Sequence, residues 1–473
     1  MEHGLSLHKK QNSRKSQHNK AGHTAAKGSF MITRLLDSLF HLTENKTSVK
    51  TEVIAGLTTF AAMSYILIVN PSILGLSGMP VAGLITVTAL AACLGTLLMA
   101  WLTNYPIALA PGMGLNAFFT FTICMAREIP WEAALGIVFY NGVLFMLLTV
   151  SGIRKKIADA IPPALKIGVQ CGIGLFIAFI GLKNAGLIVD NPATFVALGD
   201  LSDPAVLLAF LGIIFTVILV IKKVTGAILI SIITLTVIGV FIPTESGYLT
   251  ATPTGIVGLP APINETFLAM DLVYPIVNFA STWDLIFALM FVNMFDTIGT
   301  LIGVSKRAKL TDAEGNLPKM GPAMTADAAA SIVGAGLGTS PVTSYVESAT
   351  GAAAGGRTGL TAVVVAICFL LALFLTPLML VIPLMATTPA LVMVGIYMME
   401  SIRSLEFDDM ASVATATIAL MAMPLTFSIS EGIALGFITY VGIRLGIGEY
   451  KKVSLITFIM AAVFLLRYLF DLK

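Results

Sequence analysis

The run from Leu285 to Val304 is apolar for long enough to cross a bilayer as a helix, yet Asp296 stands near its middle. About 20 apolar residues span the hydrocarbon, and a carboxylate at that depth costs several kcal/mol unless it faces a cavity or a partner. The run therefore asks for a membrane-embedded fold with a sheltered polar interior. An acid kept in such a place marks a functional site before it marks a tie between helices.

The rest of the chain agrees with a polytopic membrane protein. Only 11% of its residues are charged and 57% are hydrophobic, against about 25% charged in soluble domains, and 473 residues allow about 12 to 14 crossings. The four cysteines (Cys93, Cys124, Cys171, Cys368) all lie in apolar segments and read as packing residues. All five histidines precede the first span, which excludes a histidine-ligated metal inside the membrane. No cofactor is expected, and neither is enzymatic activity or a nucleic-acid partner.

Residues 1–50 carry nine Lys/Arg against three acids. The first 30 are expected to be disordered, and an initiator at Met31 is as compatible with them as a native extension. Apolar segments follow at about 53–70, 81–102, 107–125, 132–151, 164–184, 204–221 and 226–243. After the one containing Asp296 come 323–338, 340–355, 359–380, 388–402, 410–426, 429–446 and 453–470. With a cytoplasmic N-terminus, Arg154-Lys155-Lys156, Lys222-Lys223 and Lys306-Arg307 all fall inside, as the positive-inside rule requires. The stretch 410–446, interrupted by Pro424, Ser428 and Ser430, fits one crossing, two, or a half-membrane hairpin. Tyr65 and Asn116 are 51 positions apart, as are Asp296 and Glu347. That match favours two related halves.

Two segments cannot be plain helices. One reads Ala110-Pro111-Gly112-Met113-Gly114-Leu115-Asn116-Ala117-Phe118-Phe119, the other Gly336-Leu337-Gly338-Thr339-Ser340-Pro341-Val342-Thr343-Ser344-Tyr345-Val346-Glu347. Proline and clustered glycine break helices, and Thr339 to Tyr345 would accept an extended backbone. Irregular backbone at membrane depth survives only inside protein or beside a water-filled cavity, and paired broken segments point to a binding site. Glu347 is expected at the start of a half-helix. Asp296 and Glu347 form a pair of buried acids suited to a neutral, N–H-rich substrate carried with H⁺. Asp327 and Glu431 are read as lying near membrane ends.

At these residues the chain resembles the AzgA-like purine permeases of the nucleobase:cation symporter-2 (nucleobase-ascorbate transporter) superfamily. The resemblance rests on Gly56-Leu57-Thr58-Thr59-Phe60, Asn70-Pro71, the two broken segments and Phe295-Asp296-Thr297-x-Gly299-Thr300-Leu301. It continues through Gly355-Gly356-Arg357-Thr358-Gly359 and Met423-Pro424-Leu425-Thr426-Phe427-Ser428-Ile429. It implies an all-α, uracil-permease-like fold of fourteen segments in two inverted repeats of seven, with short strands in segments 3 and 10. Core-domain segments would occupy 51–152 and 283–380, and gate-domain segments 153–282 and 381–473. It further implies proton-coupled purine uptake at the plasma (inner) membrane, both termini cytoplasmic, with H⁺ as coupling ion and a homodimer as an allowed assembly. Asp296 and Glu347 would hold the base and handle the proton. Asn116, Thr300, Phe118, Val346 and Ser344 would complete the site. Thr300 stands where the uracil permease has a histidine.

Two other classes fit less well. An intramembrane aspartyl protease needs Gly-x-Gly-Asp, and here Gly336-Leu337-Gly338 is followed by Thr339. An anion exchanger is disfavoured by two carboxylates with no basic residue expected at the same depth.

Overall fold

The computed structural model describes residues 34–152, 160–244, 247–253, 255–312 and 317–469. The N-terminal disorder and the Arg154-Lys155-Lys156 cluster fall outside the described residues. The chain is mostly helical, and nine of its described helices are long and apolar enough to cross a membrane.

The first half runs through α1 (Val49–Met63), α2 (Ile66–Leu74), α3 (Val81–Thr103), β1 (Leu109–Pro111) and α4 (Met113–Ala117), which continues as a π-helix, Phe118–Ala126. It continues through α5 (Trp131–Val150), α6 (Pro163–Asn184), α7 (Pro204–Ile221) and α8 (Ala227–Gly239). The second half has α9 (Phe279–Ala308), α10 (Met320–Leu337), β2 (Val342–Ser344), α11 (Ser348–Ala353) and α12 (Gly359–Ala372). Then come α13 (Leu384–Met399), α14 (Met410–Thr426), α15 (Ile429–Gly446) and α16 (Leu455–Leu469).

Local chemistry explains several boundaries. Proline opens α6 and α7, where a missing N–H costs nothing, and the Asp203 carboxylate caps α7 by accepting from the Ala205 N–H at 2.8 Å. The stretch 410–446 is two helices. Phe427 takes a left-handed conformation after α14, and the Ser428 hydroxyl then accepts the Glu431 N–H to start α15.

The helices form two packing groups, each assembled from both halves of the sequence. One contains α1, α3, α5, α9, α10, α11 and α12; the other contains α6, α7, α8, α13, α14 and α15 with α16 beside it. In the second group α6 and α13 meet at Gly174 and Gly395, where a Cβ on Gly174 would sit 2.8 Å from the Gly395 carbonyl oxygen. Small residues permit this backbone approach in a bilayer, where dispersion replaces the hydrophobic drive.

The first group is fastened by Glu52, a fully buried acid on α1. It accepts the N–H groups of Arg357 (2.9 Å), Thr358 (3.2 Å) and Thr361 (3.3 Å) and the hydroxyls of Thr361 (2.6 Å) and Thr47 (2.8 Å). A carboxylate at the start of α12 answers that helix's unpaired donors and its positive dipole end. The Gly355-Gly356-Arg357-Thr358-Gly359 motif is thus the receptor for Glu52.

Candidate functional site

The two interrupted segments meet. Strands β1 and β2 pair antiparallel with Leu109 opposite Ser344, Ala110 opposite Thr343 and Pro111 opposite Val342. The ladder extends one bond each way, from Gly112 N–H to the Pro341 carbonyl at 3.0 Å and from Tyr345 N–H to the Ala108 carbonyl at 2.9 Å. Gly112 is needed here, because a Cβ would stand 2.7 Å from Thr343 Cγ2.

A two-stranded ladder leaves both outer edges unpaired, which apolar surroundings do not tolerate. Side chains of neighbouring helices close them. On the β1 side Thr96 of α3 donates its hydroxyl to the Leu109 carbonyl at 3.0 Å and accepts the Leu109 N–H at 2.9 Å. On the β2 side the Ser331 hydroxyl of α10 donates to the Val342 carbonyl at 2.8 Å. Asp327, one turn before Ser331, accepts the Ser344 N–H (2.8 Å), the Ser344 hydroxyl (3.0 Å) and the Thr343 hydroxyl (3.3 Å) on Oδ1. Its Oδ2 accepts the Thr297 hydroxyl of α9 at 2.8 Å. Asp327 is therefore not an acid near a membrane end: it is fully buried and joins α9, α10 and β2.

Asp296 follows from this arrangement. Thr297 points at Asp327 and Thr343, so its neighbour Asp296 projects to an adjacent face of α9, where it is half-buried. No hydrogen-bond donor reaches its carboxylate among the described residues, and the nearby charges it feels are those of Asp327 and Glu347. Glu347 immediately precedes α11, as the sequence suggested, and is also half-buried. Its Oε1 accepts the Tyr65 hydroxyl at 2.6 Å, from the break between α1 and α2. Tyr345 donates its hydroxyl to the Pro111 carbonyl at 2.6 Å, locking the end of β2 to the end of β1. Val346, between Tyr345 and Glu347, is 50% exposed, and its N–H finds no backbone acceptor among the described residues.

The seven expected site residues divide accordingly. Asp296, Glu347 and Val346 reach open space, whereas Asn116, Phe118, Ser344 and Thr300 are buried. Asn116 Oδ1 accepts the Ser340 hydroxyl, tying one broken segment to the other, and the Ser344 hydroxyl is committed to Asp327. Tyr65 and Asp327 are the site residues that motif reading undervalued. The equal spacing that matches Tyr65 with Asp296 was the available signal for the first. Lys166, in the first turn of α6, places its ammonium 5.1 Å from the ring centroid of Phe295, the residue before Asp296.

The described residues contain no cluster of His, Cys, Asp and Glu able to hold a metal ion. The arrangement offers two carboxylates and a free N–H beside a crossing of broken segments: acceptors for N–H groups, and groups that can take a proton.

A fold of this kind with such a site belongs to a membrane permease. The model described as "Permease family" (Xan_ur_permease) matches residues 50–435, and the chain belongs to that family. It is similar to the adenine permease AdeP of Escherichia coli K12, at 41% identity over 92% of this chain and 96% of that protein. It is equally similar to the guanine/hypoxanthine permease PbuG of Bacillus subtilis 168, at 41% identity over 92% of this chain and 100% of that one. Among solved structures, the transmembrane domain of the cyanobacterium bicarbonate transporter BicA superposes with a TM-score of 0.60 at 14% identity, covering 82% of this chain and 96% of that one. That likeness concerns the fold alone. The chain is a multi-pass membrane permease and not an enzyme.

Proposed function

We propose that this permease carries purine nucleobases into the cell together with protons, across the plasma membrane, by alternating movement of one helix group against the other. The observation that carries the reading is the pair Asp296 and Glu347, both part-open where the strands cross. A purine base is neutral and presents N–H edges, which carboxylates accept well, and a charged acceptor roughly doubles the strength of such a bond. An acid in a membrane-embedded site can also take up a proton on one side and release it on the other. The names of the relatives, adenine permease and guanine/hypoxanthine permease, support the substrate class.

In this reading α1–α2 through α8 and α9 through α15 form two inverted repeats of seven segments, and α16 follows outside them. The group built on α1, α3 and α9 is the core domain, and that built on α6, α13 and α14 is the gate. Basic clusters support a cytoplasmic N-terminus. The course of α16 supports an outer position for the end of that helix, in place of the cytoplasmic C-terminus expected. The helix begins where the Ser454 and Thr457 hydroxyls both donate to the Ala160 carbonyl, at 2.8 and 2.9 Å, at the inner end of α6. It ends with Arg467 3.1 Å from Asp284, at the outer end of α9. A reporter fused after α16 is expected to give active alkaline phosphatase and dark green fluorescent protein; the opposite pair of results would restore the cytoplasmic end.

The test of function is uptake of radiolabelled adenine, guanine and hypoxanthine in cells lacking their own purine permeases. Uptake of at least one base is expected, falling as external pH rises and collapsing with a protonophore. No uptake of any purine would reject the substrate class, and protonophore-insensitive uptake would reject the coupling.

A further inference from the structure

Four charged side chains from four different segments meet at the end of the molecule opposite Lys306 and Arg307 of α9. Arg127 closes the π-helix that follows α4, Asp284 lies in the second turn of α9, Glu431 opens α15 and Arg467 ends α16. Asp284 is 1% exposed and Arg467 6%, so these charges need partners to be tolerated. The pairing has a pattern. Arg127–Asp284 (2.8 Å) ties the π-helix, which packs on α5 of the core group, to α9 of the same group, and Arg467–Glu431 (2.8 Å), joined by the Tyr468 hydroxyl, ties α16 to α15 of the gate group, on which it packs. The two contacts that cross between groups are longer: Arg467–Asp284 at 3.1 Å and Arg127–Glu431 at 3.6 Å. Below the quartet an aromatic layer also spans the boundary, with Trp283 stacked on Phe464 at 5.8 Å and Phe291 edge-on to Phe437 at 5.7 Å.

We propose that Arg127, Asp284, Glu431 and Arg467 form an ionic latch that closes the outer face between the two groups, and that it parts along the line between its two internal pairs. Parting breaks only the crossing contacts. Each charge keeps its shorter partner, so no buried charge is orphaned and the closed state is favoured without being locked. This rests on the alternating-access reading above, but not on the identity of the substrate.

The test uses the full-length protein in intact cells, with its native cysteines replaced and a single Cys at Phe291, beneath the latch. The rate of labelling by a membrane-impermeant maleimide is measured without substrate. The double exchange E431R/R467E keeps both internal pairs and turns both crossing contacts repulsive; labelling is expected to accelerate about tenfold or more, the equivalent of roughly 1.4 kcal/mol. The quadruple exchange R127E/D284R/E431R/R467E restores every sign and should return labelling to the starting rate. R127Q acts in the opposite direction. It leaves Asp284 dependent on Arg467 across the boundary, so parting would strand Asp284, and labelling should slow. Unchanged labelling in the double exchange, failure of the quadruple exchange to reverse it, or faster labelling in R127Q would overturn the latch. The R127Q arm stands even if the double exchange fails to reach the membrane, because every charge left in it retains a partner. Loss of purine uptake with this labelling pattern intact would count against the proposed substrate and leave the latch standing.

Discussion

Cells producing Glu347→Gln or Asp296→Asn are expected to take up purines no faster than cells without the permease, while both variants reach the membrane in normal amounts. Each substitution keeps the shape and removes the charge; on the proposed function it converts a charge-assisted bond to the base into a neutral one and deletes a proton carrier. The binding term alone is about 1.5–3 kcal/mol, or ~10–100-fold in apparent affinity, and loss of the carrier removes coupled turnover as well. Tyr65→Phe serves as the graded control. It deletes the 2.6 Å bond that orients Glu347 and leaves both acids, so KM should rise about tenfold with turnover retained. Uptake kinetics alongside membrane immunoblots check all three. Near-native uptake by either acid variant would remove that acid from the site.

Asp327→Ala should have an effect of a different kind. The substitution strands the Ser344 N–H, the Ser344 hydroxyl and one hydroxyl of the Thr297–Thr343 pair inside the protein. An unsatisfied buried donor costs about 1–3 kcal/mol, so even partial rearrangement leaves a loss comparable to the whole net stability of a typical fold, about 5–15 kcal/mol. The variant is expected to accumulate poorly and to aggregate in detergent at temperatures the native protein withstands, measured by fluorescence-detected size-exclusion chromatography after heating. Asp327→Asn keeps an oxygen for the three donors now on Oδ1, so it should remain folded and retain uptake. A folded but inactive Asp327→Asn would instead make this acid a member of the proton path.

The contrast between these acids shows what the sequence makes legible and why. Asp296 stands out because its surroundings along the chain are uniformly apolar, and a charge in such a run has few explanations. The breaks at Pro111 and Pro341 are legible for the same local reason. The matching intervals from Tyr65 to Asn116 and from Asp296 to Glu347 bring the two halves into register. Asp327 carries no such local mark: its value lies in where Thr297 and Ser344 come to rest, which is fixed by packing of α9, α10 and β2. Asn116 illustrates the converse. The family resemblance implies a place for it in the substrate site, and the fold shows its amide oxygen accepting the Ser340 hydroxyl of the opposite break. Glu52 is read only once the loop from 355 to 361 is seen folded around it. Local chemistry reveals that a polar group is buried; only the fold reveals whom it serves.

The pairing of β1 with β2 has a consequence for how the molecule is made. Its two strands leave the ribosome more than 200 residues apart, and membrane proteins are inserted vectorially as they are synthesised. When β1 enters the bilayer, Thr96 can already serve Leu109, but the Pro341 and Tyr345 groups that complete the ladder have not been translated. The N-terminal half therefore waits in the membrane with an exposed strand edge, the kind of surface on which partly folded chains mispair and aggregate. Neither half contains the finished strand pair, so its assembly is the late, non-local step of biogenesis. Conditions that slow translation of the second half should lengthen that exposure and lower the yield of permease without any change in its sequence.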